Sequence, residues 1–184
     1  MRSERLELRT AFISEANIAQ SNMQENSKIR AVVVTVSDSR TSEDDLSGDT
    51  LIELLQGISA EIIEKIIVTD DFDNLRQTLY VVTEREDVNL IVTTGGTGFS
   101  ERDNTPEATR AVIEKEAPGL AEAMRYETLK KTPMAMLSRG VCGIRGNTLI
   151  INLPGSPKAV RECFDVIKTV LPHAVNLISG NTNH

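Results

Sequence analysis

Residues 93–109 read TTGGTGFSERDNTPEAT, with Gly95, Gly96 and Gly98 set around the hydroxyl of Thr97. Glycine admits backbone angles closed to other residues and lets a bulky ligand approach the main chain. A tight strand-to-helix turn accounts for two such glycines. A third, with a threonine between them and charged residues following, favours an anion-binding loop. Neither the G-x-x-x-x-G-K-[ST] phosphate loop nor the dinucleotide pattern G-x-G-x-x-G is present. The loop is therefore no standard nucleotide cradle.

Acids recur at comparable places. Asp38, after Ser37, Asp70 and Asp103 each fall at the end of an apolar run or in the loop that follows one. Each alone reads as a solvated carboxylate. Three on one rim beside a phosphate-type loop would suit a hard divalent ion such as Mg²⁺, held by one or two carboxylates and by substrate oxygens. Such an assembly serves phosphoryl or nucleotidyl transfer, where positioning and charge neutralisation supply most of the rate. The pair Ser138-Arg139 is either a turn or a hydroxyl–guanidinium anion clamp. Only two histidines occur, His173 and the terminal His184. Acid–base chemistry built on imidazole is thereby disfavoured.

These residues need elements to hold them. IRAVVVTVSD (29–38), AEIIEKIIVTD (60–70), VNLIVTTGG (88–96) and TLIINLPG (148–155) are apolar runs rich in β-branched residues, which predicts strands buried on both faces. Helices are expected over 50–57, stopped by Gly57; over 73–86, with Leu75, Leu79 and Val82 in phase; from Thr105; and as one long helix over 156–178. That last one carries Val160, Phe164, Ile167, Leu171 and Val175 along one side. Thr105-Pro106 and Ser156-Pro157 are cap-and-proline openings, which fully explain those hydroxyls. Strands alternating with helices give an α/β domain with a mostly parallel sheet. Ligands in such folds sit beyond the carboxyl ends of the strands. That places Ser37, Asp38, Asp70, Gly95–Gly98 and the turn Asn152, Pro154, Gly155, Ser156 on one rim.

The chain has 184 residues, enough for one domain with a short appendage. Its net charge of −7 argues against a general nucleic-acid binder. The two cysteines follow no metal or redox spacing and suit a reducing, cytoplasmic setting as buried thiols. No run approaches the ~20 apolar residues of a membrane span. Residues 1–28 read as a mobile extension, too acidic for a transit peptide, and 181–184 as a tail.

Three blocks, VVVTVSDSRTSEDDLSGD, TTGGTGFSERDNTPEAT and AMLSRGVCGIRGNTLIINLPGSPKAV, together resemble the molybdopterin adenylyltransferase family of molybdenum cofactor biosynthesis. The likeness is greatest to the G domains of the plant enzyme and of gephyrin. It runs over 29–180, which would be the molybdopterin-binding adenylyltransferase domain. The resemblance implies a three-layer α/β sandwich, a homotrimer, and adenylylation of molybdopterin by Mg·ATP with release of pyrophosphate. It implies that Asp70 and Asp103 are the essential acids and hold the metal. Ser138 would belong to the pterin site, Gly95 to Gly98 would cradle phosphate, and the turn from Asn152 to Ser156 would line the same pocket. Two departures stand out: Thr69 where proline is usual, and Asn104 where valine is usual. Whether the product is released or handed to a molybdate-inserting partner is left open by these residues.

Two rival readings remain at this point. One is a catalytically inactive molybdopterin-binding trimer or scaffold, against which the retained Asp70, Asp103 and Ser138 argue. The other is a nucleotide-dependent α/β enzyme on another substrate, which would not need the M-L-S-R and N-L-P-G blocks.

Overall fold

The computed structural model describes residues 28–41 and 43–180. The expectations for the amino-terminal extension, Lys28 apart, and for the tail lie outside the described residues. Among the described residues the sheet has six strands: β1 (Arg30–Val36), β2 (Glu61–Val68), β3 (Leu90–Thr94), β4 (Lys115–Glu116), β5 (Cys142–Arg145) and β6 (Thr148–Leu153). Their spatial order is β2-β1-β3-β6-β5-β4. The first four in that order run parallel, whereas β5 and β4 are antiparallel additions at one side. The mostly parallel sheet expected from the apolar runs is what forms.

Among the same residues, six α-helices cover it: α1 (Leu46–Gly57), α2 (Phe72–Thr83), α3 (Thr105–Arg110), α4 (Pro118–Leu129), α5 (Pro157–Ile167) and α6 (Leu171–Ile178). A 3₁₀ turn spans Pro133–Leu137. The continuous β-branched run of β1 explains the layering. Ala31 and Val33 point into one cluster, with Leu51 and Leu55 of α1, Met124 of α4 and Phe164 of α5. Val32, Val34 and Val36 point into the other, with Leu75, Leu79 and Val82 of α2. Side chains alternate across a strand, so a strand with apolar residues on both sides needs a helix layer on each face. Each fully buried Leu, Ile, Val or Phe contributes about 1.5–3 kcal/mol against exposure.

Three expectations about the helices need correction. The segment 156–178 is two helices, because Pro172 near the start of α6 has no N–H to donate and its ring crowds the preceding turn. Its five apolar residues are buried as the periodicity required. Helix α1 starts at Leu46 rather than at Thr50, capped by the carboxylate of Asp45, which accepts from the Gly48 amide at 2.9 Å. Thr105 does not cap α3; Asn104 holds that position, and the Thr105 hydroxyl donates to the Gly95 carbonyl at 2.9 Å. Ser156 caps α5 as expected, accepting from Ala159 N.

The register matters most for function. Val36 pairs with Val68, Thr35 with Thr94, and Thr94 with Leu153. The four parallel strands thus end level, and the segments after them leave from one edge. The chain crosses from β1 to β2 on one side and reaches β3 on the other, so a crevice opens between β1 and β3.

Candidate active site

The glycine loop fills that crevice. Gly96 has φ +61, and a Cβ there would lie 2.3 Å from Thr105 Oγ1 and 2.9 Å from Asp70 Oδ1. No side chain fits between strand β1, the loop and Asp70. At Gly98 a Cβ would lie 2.9 Å from Asp103 Oδ2. Asp70 and Asp103 therefore stand against alternate glycines of one loop, although 33 positions in the numbering separate them. The Asp103 carboxylate accepts from the Ser100 amide at 2.8 Å, which pins it to its own loop. Asp38 completes the group: its carboxylate accepts from the Asp70 amide at 3.0 Å and pairs with exposed Arg102 at 3.0 Å.

The electrostatics of this group are unbalanced. One oxygen of Asp70, Oδ1, is buried without a hydrogen-bond partner. Burial pushes the Asp70 carboxyl above its ordinary range, and the charges of Asp38 and Asp103 push it further. A carboxylate that is desolvated, crowded by like charges and unpaired is a group short of a cation. Among the described residues no three carboxylate, imidazole or thiol groups make a metal cage by themselves. A hard ion such as Mg²⁺ needs only one or two carboxylates when phosphate and water supply the rest, so the donor set fits it.

Beside the loop lies a cavity of about 410 Å³. Gly96, Thr97, Gly98 and Asp103 line one side, and Ser138, Asn152, Pro154 and Gly155 line another. Gly95 is buried beneath, its Cα 3.3 Å from where a Gly155 Cβ would sit. Ser37, Asp38, Asp70 and Ser156 are outside this lining, and Asp70 stands just behind Gly96. The Asn152 amide is fully engaged inside the fold: it donates to Thr93 and Thr109 and accepts from Val141 N. It contributes wall and rigidity to the cavity. Arg139 is likewise engaged. Its guanidinium donates to the Gly98 carbonyl at 2.6 Å, the Asp103 carbonyl at 2.5 Å and the Glu107 carboxylate at 2.5 Å, while its own amide donates to Thr97 O at 2.9 Å.

Sequence reasoning missed the remaining wall. Helix α4 brings Met124, Arg125 and Thr128, the 3₁₀ turn brings Met134 and Leu137, and α5 brings Cys163. Its signal was faint: Pro118 opens a helix and Ala121, Met124 and Thr128 follow at helical spacing, but two of those three are small or polar. Cys163 and Cys142 are free and buried, and burial pushes their thiols up to about 11 and about 12. Both stay protonated at neutral pH, as inert thiols should. His173 is exposed on α6.

Of the two departures noted in the sequence, Asn104 has a visible consequence. Its amide donates to the Asp70 carbonyl at 3.0 Å and to the Arg102 carbonyl at 3.2 Å. Valine could form neither bond, so here the two acid-bearing loops are laced together. Thr69 accepts from Asn74 at the start of α2.

Level parallel strand ends, a glycine loop at the switch point and grouped acids beside an open cavity are the arrangement in which α/β proteins commonly hold small ligands. The chain belongs to the family described as "Probable molybdopterin binding domain", whose model matches residues 32–173. The molybdenum cofactor synthesis protein cinnamon of Drosophila melanogaster is 49% identical over 155 residues, which are 82% of this chain and 26% of that protein. This chain thus spans about a quarter of that relative's length. A molybdopterin adenylyltransferase of Helicobacter pylori is 44% identical over 140 residues, covering 75% of this chain and 80% of that one. The solved structure of the molybdopterin biosynthesis enzyme MoaB from Thermus thermophilus superposes with a TM-score of 0.76 at 46% identity, covering 83% of this chain and 97% of that one. No helix among the described residues is long and apolar enough to cross a membrane.

Proposed function

We propose that this chain is a molybdopterin adenylyltransferase: it transfers AMP from Mg·ATP to the terminal phosphate of molybdopterin, giving adenylyl-molybdopterin and pyrophosphate. The observation that carries the reading is the gathering of Asp70 and Asp103 against Gly96 and Gly98 of one loop, with Asp103 in the cavity lining and Asp70 behind Gly96. The similarity to the Helicobacter enzyme over most of both chains supports it.

In the reaction a molybdopterin phosphate oxygen attacks the α-phosphorus of ATP. A new P–O bond forms, and the bond from that phosphorus to the bridging oxygen of the β-phosphate breaks. The nucleophile is a phosphate monoester, already largely ionised near neutral pH, so no strong base is required. Two polyanions must be brought together, and the residues present address that repulsion. Loop amides around Gly96 and Gly98 offer fixed donors, and the rigid wall of Asn152 and Gly155 holds their spacing. Asp70 and Asp103 would hold Mg²⁺, which when bound supplies charge neutralisation to the phosphates. Ser138 faces the same cavity and is assigned to the pterin. We further infer that the chain works as a homotrimer.

Incubation with molybdopterin, ATP and Mg²⁺, followed by detection of adenylyl-molybdopterin, tests the reading. Asp103→Asn is expected to lose roughly 10²–10³ in turnover while pterin affinity stays within about threefold. Binding of molybdopterin without any adenylyl product from the wild-type chain would instead support the non-catalytic, pterin-holding reading.

A further inference from the structure

Two arginines border the cavity region, and they stand in opposite situations. Arg139 has its guanidinium filled by Gly98 O, Asp103 O and Glu107, all from the loop that carries Asp103 and the helix after it. It lies outside the cavity lining. Arg125, on α4, lies in that lining, where the other charged side chains are Asp103 and Glu162. Its hydrogen bond runs from Nη1 to the Gly140 carbonyl at 2.8 Å, and no carboxylate of the described residues pairs with it. A guanidinium carries five N–H donors in a planar fork. Arg125 also lines a second hollow of about 320 Å³, which lies across the Ser138–Gly140 segment and is bordered by Arg110 and Arg139. It is the cation shared by both spaces.

We propose that these two arginines divide the work: Arg125 is the guanidinium that receives a substrate phosphate, and Arg139 is a positioning residue that sets Gly98 and Asp103 through its contacts and through Glu107. This rests on the adenylyl-transfer reading for the identity of the substrates, though not for the anion site itself. The chemistry of each follows from what it touches. A half-buried guanidinium without a carboxylate partner, facing a cavity of substrate size, lowers the free energy of any phosphate brought there. A guanidinium filled by three loop acceptors has no fork left to offer. Its planar geometry fixes the relative placement of three groups that an ammonium could not span together. The chain reaches both arginines by different routes. Arg139 is carried into the loop by the segment before β5, and Arg125 is brought to the cavity wall by α4, whose Met124 and Ala121 are anchored in the core.

The test compares Arg125→Gln with Arg139→Lys, reading equilibrium binding of inorganic pyrophosphate, Mg·ATP and molybdopterin, amide exchange over 97–104, and turnover. Arg125→Gln is expected to weaken binding of at least one of these anions about 10- to 100-fold, the loss of charged hydrogen bonds, with loop exchange unchanged. Arg139→Lys keeps the charge but not the fork. It is expected to hasten amide exchange over 97–104 and to lower kcat about 10- to 100-fold, with anion affinity within about threefold. Glu107→Gln, which leaves Arg139 in place, should reproduce the Arg139→Lys signature in weaker form and add little to it in the double variant. The proposal is overturned by unchanged anion binding in Arg125→Gln. It is equally overturned by weakened binding with unchanged loop exchange in Arg139→Lys. Wild-type chain that binds pyrophosphate through Arg125 yet forms no adenylyl product would refute the enzymatic reading and leave the division of labour standing. Adenylyl transfer with an unaltered KM in Arg125→Gln would do the reverse.

Discussion

Asp70 is a carboxylate held where it costs stability. Its carboxyl is raised by burial and by Asp38 and Asp103, so the folded chain binds that proton more tightly than the unfolded chain does. The stability it contributes therefore falls as pH rises from the ordinary carboxylate value of about 4 through the elevated one. Asp70→Asn is accordingly expected to melt higher than wild type at pH 7, with the gap closing as the pH approaches about 4, while turnover drops roughly 10²–10³-fold. Thermal melts of both chains across that window decide it, and an amide variant no more stable than wild type at pH 7 would mean the crowding is relieved some other way. Adding Mg²⁺ should narrow the gap by stabilising only the carboxylate form. Asp70 and Asp103 were legible in the sequence because both follow apolar strand runs, and the fold brings level strand ends to one rim. Arg125 was not legible: an arginine on a helix is ordinarily solvated, and only the tertiary placement of α4 turns it toward the cavity. Arg139 could be read as a candidate anion clamp, but its contacts with Gly98 O, Asp103 O and Glu107 could not, since hydrogen bonds to distant carbonyls leave no trace in residue spacing.

Helix α1 shows what the loop between β1 and that helix needs. The Asp45 side chain is fully buried, and its oxygens accept from Thr35 Oγ1 at 2.6 Å, Gly48 N at 2.9 Å and Ser47 Oγ at 3.1 Å, with Lys65 Nζ of β2 at 3.1 Å. Arg40 donates to Ser47 and to the Gly155 carbonyl, so the helix cap is connected to the cavity wall. Burial alone would raise the Asp45 carboxyl, but the hydrogen bonds from Thr35 and Gly48 and the ammonium of Lys65 outweigh it and hold it below the ordinary range. The stability it confers is thus present above about pH 4 and is lost as pH falls through the depressed value. Asp45→Ala leaves Lys65 with Asp49 alone and uncaps α1. The expected cost is about 3 kcal/mol, or about 6–12 °C in Tm for a chain of this size, with a flatter acid limb than wild type. Asp49→Ala, at an exposed position, should cost less than about 1 kcal/mol; equal losses from the two would refute the view that the buried cap dominates. Strands β1, β3 and β6 were readable because they are continuous apolar runs. The start of α1 was not, because Ser47 and Gly48 look like loop and only the Asp45 cap makes them helix. The break at Pro172 was readable in principle from the proline itself, but the apolar stripe continues through it and periodicity alone cannot report a kink. The antiparallel β4–β5 pair escaped because its strands are too short to show a pattern.

A sheet exposes two unpaired edges, and each is guarded here. Strand β4 is two exposed residues long, and β2 carries Glu61 and Glu64, paired with Lys28 at 2.9 Å and Arg85 at 2.6 Å. Short edges and edge charges discourage one sheet from adding to another. Exposed apolar side chains lie elsewhere, among them Tyr126 on α4 and Met134 and Met136 on the 3₁₀ turn, which packs against α4. The inferred trimer must then form by packing of surfaces rather than by strand pairing. Sedimentation equilibrium should accordingly find three chains per particle. The melting temperature should fall on dilution, because assembly stabilises the folded chain by mass action. Amide exchange along β2 and β4 should not change between the assembled and diluted protein, since neither edge gains partners. Single-chain particles with a concentration-independent Tm would remove the trimer. Protection of the β2 edge on assembly would keep the trimer but overturn this account of how the edges are guarded, because Glu61 and Glu64 would then have to be accommodated between paired strands.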